Sequence, residues 1–184
     1  MNNIGTISLE TKRLLLRQFT MEDSNAMFNN LASHPNVTKY LTWPCHQNEE
    51  VSKQLLEFWI SQYNNKEFYQ WAIELKSIGQ PIGTISVVDS NPDVKMVQTG
   101  YCIGEKWWNQ GYMSEALREF IRFFFNEVGV NRIEAGHSTA NPNSGLVMEK
   151  CGMVCEGESR ESDRCNMGVT DMKHYAILAC DYKS

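Results

Sequence analysis

Apolar side chains at Leu117, Phe120, Ile121, Phe124, Phe125 and Val128 fall at i, i+3, i+4, i+7, i+8 and i+11. That is the stripe of a helix laid against a sheet. Gly129 ends it. Ahead of the stripe, Val97-Gln98-Thr99-Gly100-Tyr101-Cys102-Ile103 reads as a strand and Glu105 to Met113 as a turn. The clearest periodic segment is therefore a strand–turn–helix from Val97 to Val128. A small-residue turn feeding a helix N-terminus aims orphan amides and the helix dipole the same way, so a phosphate-bearing ligand is expected there.

The rest of the pattern arranges itself around that unit. Arg13-Leu14-Leu15-Leu16-Arg17 reads as an opening strand. Thr20 and Asp23 mark a helix start. That helix should run to about Ala32 with Met27, Phe28 and Leu31 inward, and His34-Pro35 closes it. After a turn at Trp43-Pro44, a second helix is expected from about Asn48 to Tyr63, with Val51, Leu55, Phe58 and Trp59 on one face. The period then becomes that of strands: Phe68 to Leu75, Ile82 to Val88, and the Val97 strand. Turns at Ser77–Pro81 and Asp89–Asp93 join them into an antiparallel meander. Beyond the long helix, Arg132 to Ser138 is a strand. Asn141-Pro142 opens a short helix, as an N-cap asparagine followed by proline. Leu146, Val147 and Cys151 give it an apolar side, and Gly152 stops it. Strands around Met153–Ser159 and Met172–Asp181 follow, with a polar loop between. The expected class is α+β, with helices on a mostly antiparallel sheet.

Composition changes this picture little. The 184 residues suit one domain with a proper core, and 42% hydrophobic with 21% charged residues is ordinary for a soluble protein. Neither a secretory signal nor a membrane-spanning run is legible, so the reading is a cytoplasmic protein without membrane association. A net charge of −5 argues against non-specific nucleic-acid binding. The six cysteines never show the paired spacing of a zinc ribbon, so free buried thiols and no metal are expected.

Four stretches, in order, resemble the GNAT superfamily of acetyl-CoA-dependent N-acetyltransferases, and within it the ribosomal-protein N-terminal acetyltransferase branch. They are Thr11 through Arg17, Ile82-Gly83-Thr84-Ile85, Gly100 through Leu117, and Asn141 through Gly152. Of these, Trp107-Trp108-Asn109-Gln110-Gly111-Tyr112-Met113-Ser114-Glu115-Ala116 and Asn141-Pro142-Asn143-Ser144 carry most of the likeness. One departure stands out: Trp108 and Met113 occupy the outer positions of the superfamily's glycine motif, and only Gly111 matches it.

The resemblance implies a three-layer fold whose sheet splays between its fourth and fifth strands, here Val97–Ile103 and Arg132–Ser138. It implies acetyl-CoA as co-substrate. The amides of Gln110, Gly111, Tyr112, Met113 and Ser114 would surround its pyrophosphate, and Tyr101, Cys102 and Ile103 would hydrogen-bond its pantetheine arm. Asn141 and Asn143 would complete the coenzyme contacts, although an N-cap role also explains Asn141. Many relatives carry a tyrosine acid where Met148 stands, and Ser144 matches the serine of the ribosomal-protein branch. The general base falls on Asp163 by its distance from Ser144, with Glu161 competing and His137 a further candidate. The acceptor would be a primary amine, most simply a protein or peptide N-terminus. A small amine (polyamine, amino sugar or amino acid) is the alternative, as is a member that binds acetyl-CoA without catalysis. Relatives are commonly dimers, so a homodimer is compatible with the likeness.

Overall fold

In the computed structural model, which describes residues 1–183, the meander forms as the alternation predicts. Strands β1 (Leu9–Glu10), β2 (Leu14–Arg17), β3 (Gln70–Leu75), β4 (Gln80–Asn91) and β5 (Met96–Ile103) pair antiparallel in sequence order. Strand β6 (Arg132–Ser138) then lies parallel to β5, and β8 (Gly168–Leu178) and β7 (Val154–Cys165) complete the sheet. The spatial order is β1-β2-β3-β4-β5-β6-β8-β7.

The two parallel strands separate within their own length. Their register runs from Met96–Arg132 to Thr99–Ala135 and stops there, while β5 continues to Ile103 and β6 to Ser138. This is the expected splay, and it opens a V in the middle of the sheet.

Helices cover both faces. One core packs α4 (Tyr112–Phe123) and α5 (Pro142–Lys150) on the sheet around Leu14, Leu16, Trp71, Ile73, Ile85, Ile133 and Met148. The other joins Phe19, Met27, Leu31, Val37 and Leu56 from the region of α1 (Ser24–Met27), α2 (Pro35–Thr38) and α3 (Glu49–Gln62) to Ala72 of the sheet. The long helix ends in a π-turn at Phe124–Val128, and Gly129 at φ 74° accepts the left-handed stop. The wider turn turns both Phe123 and Phe124 fully inward, against Trp71 and Tyr69. Phe125 is only partly buried.

Four expectations fail locally. In α3 the fully buried residues are Ser52 and Leu56; of the face expected inward, Leu55 and Trp59 pack against the core, while Val51 and Phe58 are exposed. Buried His46 accounts for the shifted phase, because its Nδ1 lies 2.8 Å from Ser52 Oγ and gives that hydroxyl a partner inside. Phe28 is only half-buried, since the chain passes into a π-turn at that residue. In α5, Leu146 is exposed, and Gly145 and Met148 face the sheet instead. The polar stretch from Arg160 to Cys165 is not a loop: it continues β7 into a hairpin with β8, interrupted by an irregularity between Ser159 and Asp163. Among the described residues, no helix is long and apolar enough to cross a membrane.

Candidate active site

The V presents unpaired backbone on its β5 side. The Gly104 amide donates to Ile82 O at 2.8 Å, and Val87 on β4 donates to Tyr69 O of β3 at 3.0 Å. Antiparallel alternation therefore turns Cys102 and Gly100 toward β4, and Tyr101 and Ile103 toward the gap that β6 has left. Of the three strand residues expected to offer backbone hydrogen bonds, Cys102 is turned into the sheet and only Tyr101 and Ile103 are available. The Ile103 carbonyl is already taken by Trp108 Nε1 at 2.8 Å, which leaves its N–H. Burial pushes the Cys102 thiol up to about 12, so it is protonated at neutral pH and no nucleophile.

Behind this edge, the turn before α4 exposes a second set of amides. Gly111 is the N-cap at φ 78°, a conformation an L side chain rarely adopts, and Asn109 is also left-handed at φ 59°. The first intrahelical bond runs from the Glu115 N–H to Gly111 O at 3.0 Å, and no side chain caps the turn. The amides of Tyr112, Met113 and Ser114 are thus without a helical acceptor and stand at the positive end of the dipole. Met113, the odd residue of the glycine motif, is buried in the core beneath them. Its side chain packs while its amide stays available.

Helix α5 closes the α4–α5 side of the V. The expected side-chain cap from Asn141 is not made; at φ −117° and ψ 65° it lies outside the usual capping conformation, and only its backbone is used, its amide donating to Ser138 O at 2.7 Å and its carbonyl accepting from the Ser144 amide at 3.1 Å. The Asn141 side chain is left for other partners, and Asn143 is exposed on the same turn. Ser144 Oγ sits 3.0 Å from Tyr101 Oη, which also donates to Ser144 O at 3.1 Å. Sequence reasoning used Tyr101 for its backbone alone and missed this hydroxyl pair. The clue was strand alternation, which sends the Tyr101 side chain to the face that α5 covers. Burial raises the Tyr101 phenol well above its ordinary value, more than the Ser144 hydrogen bond lowers it, so it remains a proton donor. Met148 is buried one turn on.

His137 lies under α5. Its Nδ1 is 2.7 Å from Ser138 O, while Nε2 has no partner among the described residues and points at Gly145. It supports the helix from below rather than reaching the gap.

The two carboxylate candidates differ in setting. Asp163 pairs with Thr170, whose hydroxyl is 2.5 Å from Ser138 Oγ at the end of β6. Cross-strand partners share a face, so Asp163, Thr170 and Ser138 form a row at the mouth of the V. Glu161 falls in the irregular stretch at φ 48°, with its amide bound to Asp171 Oδ1 at 2.7 Å. Both side chains are exposed. Sequence reasoning also missed Asn166 at the hairpin tip. Its backbone amide donates to Leu41 O at 3.1 Å, and its side chain to Thr38 O at 2.8 Å and Trp43 O at 2.7 Å, tying the tip to the segment after α2. Among the described residues, no cluster of three or more metal-ligating side chains occurs; all six cysteines are free, but only Cys165 is buried, against the expectation of buried thiols, and Cys155 and Cys180 are exposed.

Comparison with known proteins agrees with this geometry. The acetyltransferase (GNAT) domain family matches residues 13–154. The uncharacterized N-acetyltransferase YoaA of Bacillus subtilis (strain 168) is 29% identical over 170 residues, 92% of this chain and 96% of that protein. The ribosomal protein uS5-alanine N-acetyltransferase of Escherichia coli (strain K12) is 36% identical over 62 residues, 34% of this chain and 32% of that one. A GNAT-family acetyltransferase from Bacillus anthracis superposes with a TM-score of 0.81 at 26% identity, over 94% of this chain and 99% of the other. With a family match across most of its length and an open V between β5 and β6, the chain belongs to the GNAT acetyltransferase family and is an acetyl-CoA-dependent N-acetyltransferase.

Proposed function

We propose that the protein acetylates the α-amine of a protein or peptide, by direct attack of the amine on acetyl-CoA held in the V. The observation that carries this reading is the Tyr101–Ser144 hydroxyl pair, at 3.0 Å, with buried Met148 one turn beyond. A serine in that place without the tyrosine is the arrangement that resembles the ribosomal-protein branch. The 36% identity to the uS5-alanine acetyltransferase over part of the chain supports it.

In this arrangement the pyrophosphate lies on the amides of Gln110 to Ser114, which favour a diphosphate through backbone and dipole alone. The pantetheine arm adds to the free edge of Tyr101 and Ile103 as an extra strand would, and Asn141 and Asn143 contact the coenzyme from α5. The coenzyme supplies the acetyl group as a thioester. The Ile103 N–H is aimed at the gap and polarises the carbonyl oxygen; a donor in that role is worth about 3–4 kcal/mol. Asp163 takes the ammonium proton, directly or through water, from the row it shares with Thr170 and Ser138. As the C–N bond forms and the C–S bond breaks, the Ser144 hydroxyl gives its proton to the sulfur and regains one from the acetylated nitrogen, directly or through water, while Tyr101, kept protonated by burial, holds Ser144 in place.

The test is thiol release from acetyl-CoA with a panel of unblocked peptides, N-terminally blocked lysine peptides, polyamines, amino sugars and amino acids. Peptides with a free α-amine should be turned over with the highest kcat/KM. Acetylation confined to small amines overturns the acceptor assignment, and background hydrolysis alone removes catalysis. Ser144→Ala and Asp163→Asn should each lower kcat at least about tenfold. An unchanged rate removes that residue from the mechanism.

A further inference from the structure

Two of the sequence stretches that resemble the family, Thr11–Arg17 and Gly100–Leu117, meet in a contact that the chemistry above does not use. Arg13 donates through Nε to Glu115 Oε2 at 2.7 Å, and its backbone amide donates to Glu115 Oε1 at 2.9 Å. The Thr11 hydroxyl adds a third bond to Oε1 at 2.7 Å. From the other side of the guanidinium, Nη1 donates to Gln110 O at 3.0 Å. The guanidinium plane also covers the Tyr112 ring, 4.2 Å from its centroid. A Cβ placed on Gly111 would lie 3.5 Å from Nη2. One side chain from the β1–β2 turn thus grips the residues on either side of Gly111.

The electrostatics of this contact matter as much as its geometry. Glu115 is in the first turn of α4, where a carboxylate would compete with a bound anion for the same dipole end. Here its oxygens are turned back onto Thr11 and Arg13, and its charge is balanced in a salt bridge in which the carboxylate is mostly covered. The Arg13 Nη1 bond also pins the Gln110 carbonyl to the β1–β2 side, which faces the following amides the other way. A plain helix-start turn needs neither device. A turn that must receive a diphosphate needs both, because its amides have to be preset and the nearby negative charge cancelled.

We propose that Arg13 is a positioning residue for the donor substrate: it holds the Gln110–Tyr112 turn in its amide-presenting conformation and neutralises Glu115, so that the site selects donors carrying a diphosphate. This rests on the coenzyme placement proposed above. Arg13 acts through the turn and on phosphate affinity, while the groups that handle the acetyl carbon are on β5 and α5.

The experiment compares acetyl-CoA with S-acetylpantetheine, which has the same thioester arm and no phosphates, in the full-length protein. The readout is the ratio of their kcat/KM values. In the wild type this ratio should be far above one. Arg13→Gln should lower it about tenfold or more, the equivalent of about 1.4 kcal/mol, chiefly through the KM for acetyl-CoA. Arg13→Lys should recover only part of the loss, since lysine restores the charge without the fork that reaches Gln110 O and Glu115 together. Should Arg13→Gln fold poorly, Arg13→Met, which keeps the unbranched stem and removes the guanidinium, is read in the same way. A ratio that stays at the wild-type value while both rates fall assigns Arg13 to stability alone and overturns the proposal. A wild-type ratio near one overturns the coenzyme placement itself, so the two failures are distinguishable.

Discussion

Replacing Asn166 with aspartate isolates the contact that closes the proposed acceptor side. The Asn166 side chain donates two hydrogen bonds, to Thr38 O at 2.8 Å and Trp43 O at 2.7 Å, and both converge on one amide nitrogen. Aspartate is nearly isosteric but acceptor-only, so both bonds are lost and a carboxylate faces two carbonyl oxygens. Each neutral bond contributes about 1 kcal/mol net, so the docked hairpin loses about 2 kcal/mol before repulsion is counted. At 1.4 kcal/mol per factor of ten, the ratio of docked to undocked tips falls about thirtyfold. The backbone bond from Asn166 to Leu41 remains, so the hairpin loosens locally and the domain stays folded. Hydrogen–deuterium exchange should speed up across residues 38–43 and the hairpin tip and leave β5 and α4 unchanged. In steady state, the KM for the peptide acceptor should rise several-fold at constant KM for acetyl-CoA. Asn166→Ala, which loses the bonds without the repulsion, should fall between. If exchange at 38–43 is unaltered, or if the two KM values rise together, the hairpin tip does not bound the acceptor site.

Three further outcomes follow from buried contacts elsewhere. Gly145→Ala places a Cβ 2.7 Å from His137 Nε2 and 3.0 Å from Tyr175 Oη. Helix α5 must shift, at a cost of about 1–3 kcal/mol, and kcat should fall with it because Ser144 is the adjacent residue; full activity with a lowered melting temperature would show that α5 tolerates displacement. Arg17→Met leaves the Asp23 and Glu74 carboxylates, at 8% and 16% exposure, without the guanidinium 2.7 and 2.6 Å away. Denaturant unfolding should report a loss of about 3 kcal/mol, the low end for a broken buried pair, and a loss under 1 kcal/mol would contradict that estimate. Burial holds the His46 pKa below its ordinary value, so the fold keeps it neutral while the unfolded chain protonates near pH 6.5. The unfolded state then binds more protons below that pH, and stability should drop as pH falls through about 6.5 toward the folded pKa. Thermal melts from pH 7.5 to 5 test this, and His46→Gln should flatten the His46 part of the curve.

Legibility in the sequence followed how local the causes were. The β6 bounds, Arg132–Ser138, match the sequence reading, and α4 follows its apolar stripe, because alternation and 3.6-residue periodicity are properties of one segment. Helix α3 keeps Leu55 and Trp59 against the core as its pattern predicts, but its most buried face centres on Leu56 and on Ser52, which is inside only through a bond to His46 from a preceding loop. Strand β7 was mistaken for a loop beyond Ser159 since it is an edge strand with little core to face, and its residues there are polar on both sides. The V itself left no local mark. It exists because the parallel ladder ends at Thr99–Ala135, and a parallel register is set by two segments joined through a whole helix.

The same distinction separates the two substrates. The proposed donor site is built from backbone: the free edge of Tyr101 and Ile103, and the amides that follow Gly111. Backbone sites tolerate changes of side chain, which is why Met113 can stand at a glycine-motif position and bury its thioether in the core while its amide stays at the helix end. What such a site needs from side chains is conformational support, and Arg13 and Glu115 supply that from 102 residues apart. The proposed acceptor side is built differently. Its boundary is made where the β7–β8 hairpin tip meets residues 38–43, through Asn166, and its candidate base, Asp163, is the exposed end of a row that runs through half-buried Thr170 to buried Ser138. Contacts of that kind depend on each residue's identity and on hairpin register. Selectivity between amines should accordingly shift most readily with substitutions at Thr170 and Asn166, and least with changes in the turn before α4.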